Sequence, residues 1–256
     1  SEFRFTAPAQ SEPNLTAPEF CESDEEIVFY NDRARLVFSK YYNNFSSLTV
    51  NGEEFFVQDP HNRGYGKFAE NVPGFIPNIW RAPTDNDRLI KVEWQKNMYD
   101  YMWLSFYKTE YGLKDGSYRI DLRGFFTPPK YGLKFEIGIR YIVHGDLSVD
   151  SLFELIPQED NLPFLPRFGI MCDISKSYND VTWYGLGETE NYNDFNLHSK
   201  TGIYSLKCSD FTDTSYIRPQ ESGNRSETRW FTLLNGNGQG VKVSYTDALL
   251  NFKVTG

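Results

Sequence analysis

Carboxylates, amides and aromatic side chains are concentrated in three short stretches of this 256-residue chain. They read "PNIWRAPTDND" at residues 77–87, "WYGLGETENYND" at 183–194 and "RPQESGNR" at 218–225. Glycosidases use two carboxylates roughly 5 to 10 Å apart, one as the acid and one as the base or nucleophile. Sugar-binding sites combine aromatic rings with amides and carboxylates that bond hydroxyl groups. The three stretches therefore carry side chains suited to carbohydrate chemistry or to carbohydrate contact.

Acidic residues in loops rich in glycine and asparagine are usually solvated turn residues or partners of an arginine. No spacing within the three stretches marks one pair as an acid and a nucleophile, so we predict no catalytic residue in this chain. We instead expect these stretches to contact a sugar or another domain. The candidate residues are Trp80, Arg81, Asp85, Asn86, Asp87, Trp183, Tyr184, Glu188, Glu190, Asn191, Gln220, Glu221 and Arg225.

The first stretch has the features of an anchored loop. Pro83 fixes its own φ and favours an extended conformation for the residue before it. Thr84, Asp85 or Asn86 can then cap a turn or the start of a following helix. Arg81 carries a planar fork suited to a bidentate pair with a carboxylate. We predict that this loop anchors the domain against another surface.

Composition and missing motifs exclude several classes of function. A net charge of −9, without any run of lysine or arginine, argues against nucleic-acid binding. No apolar stretch approaches the roughly 20 residues of a membrane span. The chain has no G-x-S-x-G, no H-E-x-x-H and no glycine-rich loop between a strand and a helix. His61, His144 and His198 lie in unrelated contexts, so we predict neither a Ser-His-Asp triad nor a metal site.

Most of the chain alternates apolar and polar residues, as half-buried strands do. Asn51-Gly52 is the strongest hairpin signal, because both residues tolerate the positive φ of a tight turn. The tripeptide at residues 144–146, His-Gly-Asp, is typical of another tight connection between strands. One helix is predicted over residues 91–107, where large side chains recur every three or four positions. These elements predict an all-β fold, either one antiparallel sheet or a pair of packed sheets.

Three motifs, in this order and at similar spacing, resemble the last domain of family 2 β-galactosidases. They are "NIWRAPTDND", "WYGLGETENYND" followed by "TGIYS", and "YIRPQESGNRSETRWFTL". The stretch "PRFGIMCDI" before the second motif matches as well, and the similarity runs from about Glu25 to the end. This domain is called the small chain where it is a separate subunit. The resemblance implies a large antiparallel β-sandwich, the supersandwich shared with galactose mutarotases.

The resemblance also implies a larger, retaining enzyme that removes terminal non-reducing β-D-galactose residues. Its two catalytic glutamates and its Mg²⁺ site lie on a preceding (β/α)₈ barrel, so no cofactor is expected in this chain. The implied partners are that barrel and the β-galactoside substrate, and the parent enzyme is expected to be a homo-oligomer. Residues 77–87 would form a joint on the rim that faces the barrel and completes the active-site wall. Within the joint, Trp80 would pack at the domain interface and Arg81 would pair with a carboxylate.

The ends of the chain differ from its middle. Residues 1–23 are rich in proline, serine, threonine and alanine, which predicts a linker or a remnant of the preceding domain. Residues 24–256 then form the small-chain domain. Family members continue past a strand like "LNFKV", so we expect this domain to be truncated at its C-terminus. The N-terminus lacks the basic and apolar regions of a signal peptide. We expect the parent to be cytoplasmic, and a periplasmic or secreted parent stays open because any signal peptide of the parent would lie upstream of this chain.

Two other functions stay open. An autonomous aldose 1-epimerase shares the implied fold and needs a general acid and a general base. His198 with Glu221 or Glu188 is the pair that could supply them. A galactose-binding module without chemistry would use the aromatic residues of the rim as a platform. Weak galactose affinity without turnover would favour this third function.

Overall fold

The computed structural model describes residues 16–57, 73–130, 132–211, 220–245 and 249–254. His61 and the predicted linker up to residue 15 lie outside these ranges. A first antiparallel sheet follows chain order through β1 (Glu19–Glu22), β2 (Glu26–Tyr30), β3 (Ala34–Ser39), β4 (Asn44–Val50) and β5 (Glu53–Glu54). The strand β6 (Ile76–Asn78), a 3₁₀ turn (Asp85–Asp87) and the helix α1 (Ile90–Lys96) come next.

A second antiparallel sheet has the order β10-β9-β8-β7. Its strands are β7 (Trp103–Lys114), β8 (Ser117–Thr127), β9 (Phe135–Val143) and β10 (Val149–Pro157). A third sheet has the order β13-β12-β15-β16, with β12 (Asp180–Gly187), β13 (Lys200–Lys207), β15 (Trp230–Leu234) and β16 (Gly240–Ser244). Two small pairs join β6 to β11 (Gly169–Met171) and β14 (Arg225–Thr228) to β17 (Leu250–Phe252). The all-β, antiparallel fold is confirmed.

The first two sheets pack face to face through aromatic side chains. Phe29 of β2 meets Tyr118 of β8 edge-on, with ring centroids 5.0 Å apart, and Phe45 of β4 meets Tyr141 of β9 at 4.9 Å. All four residues are at most 1% exposed. Successive residues of a strand point to opposite faces, so each strand contributes every second side chain to this layer. The alternation of apolar and polar residues therefore gives each of the two sheets an apolar face, and these two faces pack against each other.

The third sheet has its own aromatic core, which β17 covers. Phe252 of β17 stacks on Phe231 of β15, with centroids 4.4 Å apart and 8° between the ring planes. Trp183 of β12 is fully buried and lies 6.0 Å from Phe252. Phe55 and Tyr178, whose ring centroids are 4.9 Å apart, join this part of the molecule to the first sheet. The last described residues of the chain thus belong to the core.

Both predicted tight connections are confirmed. Asn51 and Gly52 have φ values of 49° and 85° and connect the paired strands β4 and β5. At the second connection, the amide of His144 donates to the carbonyl of Ser148 at 3.0 Å, which closes the turn between β9 and β10.

The helix predicted over residues 91–107 is wrong in its second half. The α-helix ends at Lys96, and Met98 has a φ of 54°, which an α-helix does not accommodate. From Trp103 onward the chain forms β7, which pairs with β8 along nearly its whole length. Apolar residues three or four apart and a strand-like alternation coexist in this segment. The long ladder to β8 decides between them, because tertiary pairing overrides a short local pattern.

Several strands were not predicted, and two of them show why. Glu19–Glu22, placed in the predicted linker, forms β1 and pairs with β2. Lys200–Lys207 forms β13 at the edge of the third sheet, and its burial alternates between exposed and half-buried residues. An edge strand that buries little of its surface shows only a weak apolar alternation in its sequence. A segment without a clear strand pattern in its sequence can therefore still form a strand that completes a sheet.

Candidate functional site

The loop at residues 77–87 is built around one ion pair. Nη1 and Nη2 of Arg81 donate to Oδ2 and Oδ1 of Asp87 at 2.5 and 3.0 Å, the bidentate arrangement expected for this fork. The backbone amide and the hydroxyl of Thr84 also donate to Oδ2 of Asp87, at 2.7 and 2.9 Å. Asp87 is only 8% exposed. The arginine therefore pairs with a carboxylate of its own loop, and the loop is closed on itself.

The electrostatics of Asp87 follow from these contacts. Burial acts to raise the pKa of the Asp87 carboxyl, whereas the hydrogen bonds from Arg81 and Thr84 act to lower it. The hydrogen bonds prevail, and the pKa lies below its usual range. Asp87 is thus held as a carboxylate, which makes it a structural anchor and a poor general acid.

Trp80 lies inside the domain. It is 7% exposed, and its ring meets the fully buried ring of Trp94 of α1 edge-on at 6.3 Å. The guanidinium of Arg81 lies over the same Trp94 ring, 5.4 Å from its centroid. In the described residues Trp80 is therefore a core residue that fixes the loop to α1, whereas an interface position was predicted.

The segment at residues 163–167 joins the first loop to the third. Nε of Arg81 donates to the carbonyl of Pro166 at 3.3 Å, and Nε1 of Trp94 donates to the carbonyl of Phe164 at 2.9 Å. The next residue, Arg167, donates through Nη2 to Oε1 of Glu221. Loop one and loop three are thus connected by adjacent residues of a single segment. Sequence reasoning matched only the end of this segment to the family and missed its contacts, because nothing in "LPFLPRF" marks it as a bridge between two loops.

Glu221 is a buried carboxylate between two cations. It is 5% exposed and contacts Arg167 on one side and Nζ of Lys253, at 3.3 Å, on the other. Lys253 directly follows β17, so the pair with Glu221 ties the end of the chain to the third loop. A carboxylate that is engaged by two cations is not available as a general acid or base without breaking these contacts.

The second and third loops are joined by hydrogen bonds to the backbone. Oε2 of Glu190 accepts the amide of Gly223 at 2.7 Å. Oδ1 of the fully buried Asn191 accepts both the amide and the hydroxyl of Ser226, at 2.7 and 2.5 Å. The amide of Asn191 in turn donates to the carbonyl of Asn224 at 3.0 Å. Both residues are committed to holding the loops together, as buried polar groups generally are.

Arg225 is a buried cation held mainly by aromatic faces. Its guanidinium lies 5.3 Å from the Trp183 ring centroid and 4.8 Å from that of Phe211. Nη1 donates to the carbonyls of Gly223 and Asn224, both at 3.2 Å, and Nε has no hydrogen-bond partner in the described part of the chain. Burial lowers the pKa of this guanidinium below its usual range. Arg225 and Trp183 therefore form the floor beneath the two loops and are not surface groups.

The remaining candidates lie at the surface of the three loops, which together are called the rim. Tyr184 is half-buried and carries the Arg229 guanidinium 4.8 Å from its ring centroid. Gln220 is half-buried as well. Asp85, Asn86 and Glu188 are exposed. Of the predicted site residues, Asp85, Asn86 and Glu188 are therefore the most exposed, whereas the buried ones hold the loops in position.

One arrangement contradicts the sequence analysis. Nε2 of His144 lies 2.8 Å from Oδ2 of Asp150, and Nδ1 lies 3.1 Å from the hydroxyl of Ser117, so one histidine is oriented by a carboxylate. The pairing of β8, β9 and β10 brings the three residues together, which their spacing did not indicate. Ser117 is 6% exposed and His144 is 8% exposed, so a substrate cannot reach the hydroxyl as the chain is folded. The cluster closes the end of the second sheet.

No group of three or more histidine, cysteine, aspartate or glutamate side chains in the described residues is placed to hold a metal ion. Within the same residues no helix is both long enough and apolar enough to span a membrane.

Comparison with known proteins shows which family contains these three loops. A family model described as "Beta galactosidase small chain" matches residues 30–255, which include all three. The chain belongs to that family. It is 33% identical to a β-galactosidase of Actinobacillus pleuropneumoniae over 82% of its length, and 30% identical to one of Lactobacillus delbrueckii subsp. bulgaricus over 91%. These alignments cover 22% and 21% of the relatives, so the small-chain domain spans about a fifth of their length.

Among solved structures, the small-chain domain resembles a galactose 1-epimerase from Lactobacillus acidophilus. The TM-score is 0.39 and the sequence identity is 13%, over 88% of this chain and 76% of that one.

Proposed function

We propose that this small-chain domain is the non-catalytic part of a retaining, family 2 β-galactosidase that hydrolyses terminal β-D-galactose residues. It docks on the preceding (β/α)₈ barrel through the rim formed by its three loops, and it completes the wall of the active site. The catalytic glutamates and the Mg²⁺ site belong to the barrel in this proposal. The parent enzyme is a cytoplasmic homo-oligomer of carbohydrate metabolism.

The observation that carries the proposal is the continuity of the rim. Three loops that are far apart in sequence are joined by consecutive contacts, from Asp87 through Arg81 to Pro166, and from Arg167 to Glu221. The amide of Gly223 then links the third loop to Glu190. The buried charges of the rim hold the loops, and its exposed residues are few and polar. Such a pre-organised surface fits a docking partner better than it fits independent acid–base chemistry.

The length of the relatives also supports the proposal that this domain is one part of a larger enzyme. Proteins named β-galactosidase are about five times as long as the matched region, so most of such an enzyme lies outside it. Two of the carboxylates that were candidates for chemistry are engaged: Glu221 with two cations and Glu190 with a backbone amide.

The test is hydrolysis of a chromogenic β-galactoside by this chain alone, by the separately expressed upstream region of the parent, and by the two mixed. We expect activity on mixing and none from this chain alone. Turnover by the chain alone would contradict the proposal, and Glu188 and Glu190 would become the first residues to replace.

A matched pair of variants tests the role of the first loop. Arg81→Ala is expected to reduce kcat/KM after mixing, because it opens the loop that positions the rim. Arg35→Ala removes another arginine, one that is paired with Glu26 on the first sheet and about half exposed, and it should change nothing. Unchanged stability and unchanged kcat/KM in Arg81→Ala would contradict the assignment of this loop.

The aldose 1-epimerase alternative receives less support. It needs His198 together with Glu221 or Glu188, but Nε2 of His198 lies 3.1 Å from the carbonyl of Glu190 and Glu221 is held by two cations. In the galactose-binding alternative, only the exposed residues of the rim could contact the sugar, because Trp183 is fully buried.

A further inference from the structure

The outer face of the second sheet carries exposed aromatic rings close to its β7 edge. The ring of Phe125 lies 5.1 Å from that of Tyr107, with 38° between the ring planes, and Tyr107 is 56% exposed. Trp103, four residues before Tyr107 on the same strand, is 41% exposed. The hydroxyl of Tyr107 donates to Oε1 of Glu136 at 2.7 Å, and Glu136 is the direct neighbour of Phe125 across the ladder. The tyrosine ring is therefore held in place although it is largely exposed.

Next to these rings lies a shallow depression with Gly138 at its floor. Nη1 of Arg123 donates to Oε2 of Glu154 at 2.9 Å, and the two side chains reach each other across Gly138. A Cβ atom at position 138 would lie 2.6 Å from Nη1 of Arg123 and 3.2 Å from Oε2 of Glu154. The glycine thus lets the guanidinium and the carboxylate lie close to the sheet.

The other side of the depression is a second set of charged groups. Nε of Arg140 donates to Oδ1 of Asp121 at 2.7 Å, and Arg119 also donates to this carboxylate. Burial acts to raise the pKa of the Asp121 carboxyl, but the hydrogen bonds from Arg119 and Arg140 prevail and hold this pKa below its usual range. The side chains of Arg140, Arg123 and Glu154 are 37%, 43% and 54% exposed. A guanidinium has five N–H donors, so these arginines keep donors that point to solvent.

Charge on this face favours a neutral ligand. The strand register places five cations and five carboxylates on it, so neither sign is in excess. These residues are Lys108, Lys114, Arg119, Arg123, Arg140, Glu110, Asp121, Glu136, Asp150 and Glu154. An anion would meet a carboxylate beside every arginine, whereas the hydroxyl groups of a sugar can accept from the arginines and donate to the carboxylates.

The distance between the aromatic rings and the depression at Gly138 suits a chain of sugar units. Phe125 and Arg123 are two residues apart on β8 and face the same side, which places them about 7 Å apart along the strand. One unit can then stack on the aromatic rings while the next lies over Gly138. Flat rings beside paired donors and acceptors are the combination that saccharide recognition uses.

We propose that this face, with Tyr107 and Phe125 as the platform and Arg123, Arg140 and Glu154 as the polar contacts, binds a neutral oligosaccharide. The site is separate from the three-loop rim and does not depend on the proposed function. It would hold a sugar chain on the surface, without cleaving it.

The experiment is a titration of the ¹⁵N-labelled chain with lactose, followed by amide chemical shifts. We expect shifts confined to β7, β8 and β9 around Tyr107, Arg123 and Gly138. Tyr107→Ala should weaken binding roughly three- to tenfold, because it removes one stacking ring. Tyr41→Ala is the matched control, since Tyr41 is 79% exposed at the turn between β3 and β4 of the first sheet and is not among the residues of this site. It should leave the affinity unchanged.

Two further variants separate shape from charge. Gly138→Ala keeps every charge and fills the depression, so it should weaken lactose binding. Arg123→Gln should weaken it as well, whereas Arg35→Gln should not. Thermal unfolding of each variant shows that the loss is not a loss of fold.

Several results would overturn the proposal. They are the absence of shifts up to the solubility limit of lactose, shifts confined to the three-loop rim, or equal losses in the Tyr41 and Tyr107 variants. A response to sodium sulfate alone, without one to lactose, would also contradict it. None of these readouts involves hydrolysis, so they do not depend on whether the rim docks on a barrel.

Discussion

Asp87 shows how single residues of this domain are used. Its carboxylate accepts hydrogen bonds from Arg81 and from Thr84, and it is nearly buried. Asn191 and Glu221 play the same part in the other two loops. In each loop, some polar side chains of the motif do not serve the surface. They form hydrogen bonds or ion pairs with the backbone and with the buried charges of the loop itself. The exposed neighbours Asp85, Asn86 and Glu188 are the residues that the proposed function assigns to contact with a partner.

Asp87 predicts a specific dependence of stability on pH. Its folded pKa lies below the unfolded value of about 4, so its contribution is complete above that pH and is lost as the pH falls through the folded pKa. Asp87→Asn should lower the free energy of unfolding at pH 7 by about 2 kcal/mol. Urea unfolding at several pH values measures this. The difference between the two proteins should shrink below about pH 4, and a difference that stays constant down to pH 2 would contradict the assignment.

At the scale of elements, local pattern and long-range pairing compete. The turn at residues 51–52 follows its local sequence, because Asn-Gly accommodates the positive φ that the turn requires. The segment at residues 103–107 does not follow its apparent helical spacing, because it pairs with β8. The end of the chain is a third case: the three-residue strand β17 gains its place from Phe252, which is 7% exposed among Trp183, Phe211 and Phe231.

The hairpin turn offers a test without a steric contribution. A Cβ atom on Gly52 would meet nothing within 4 Å, so Gly52→Ala introduces only backbone strain at a φ of 85°. We expect it to lower the free energy of unfolding by about 1 kcal/mol. Gly236 is the matched control, since it is equally open and its φ is not in the positive region. Chemical denaturation of both variants distinguishes the two, and equal effects would refute the strain argument.

The closing strand offers a test of the third core. Phe252→Ala removes a ring stacked 4.4 Å from Phe231, and we expect it to cost about 3–5 kcal/mol of stability. Leu249→Ala, in the same segment but at a 47% exposed position, should cost less than about 1 kcal/mol. Thermal and urea unfolding provide the measurement. A small loss in the Phe252 variant would mean that β17 is not part of the core.

At the scale of the whole molecule, the rim joins loops, sheets and the end of the chain. Glu221 lies at the centre of these connections, since Arg167 is the last residue of the segment that contacts the first loop and Lys253 follows β17. A change at Glu221 therefore acts on the position of the whole rim and not on one loop alone. The effect of a change at Glu221 can therefore distinguish a docking role of this residue from a catalytic role.

Glu221→Gln tests that distinction in the mixing experiment. The variant leaves two cations without their carboxylate, and we expect it to lower the stability of the chain by about 2 kcal/mol. More of the variant chain should then be needed to reach half-maximal β-galactosidase activity, while the plateau at saturation stays within about twofold. A plateau that falls by a factor of about 100 or more, at unchanged half-saturation, would instead identify Glu221 as an acid–base group.

The sequence alone was sufficient for the class of fold, for the turn at Asn51-Gly52 and for the three stretches that the family comparison contains. These features depend on local chemistry: side-chain alternation, turn residues that tolerate positive φ, and contiguous motifs. Only the tertiary structure decided which of the candidate residues are buried, that Arg81 pairs within its own loop, and that residues 163–167 bridge two motifs. It also brought Ser117, His144 and Asp150 together. The physical reason is that burial and pairing between distant segments depend on strand register and sheet packing, which no short window of sequence contains.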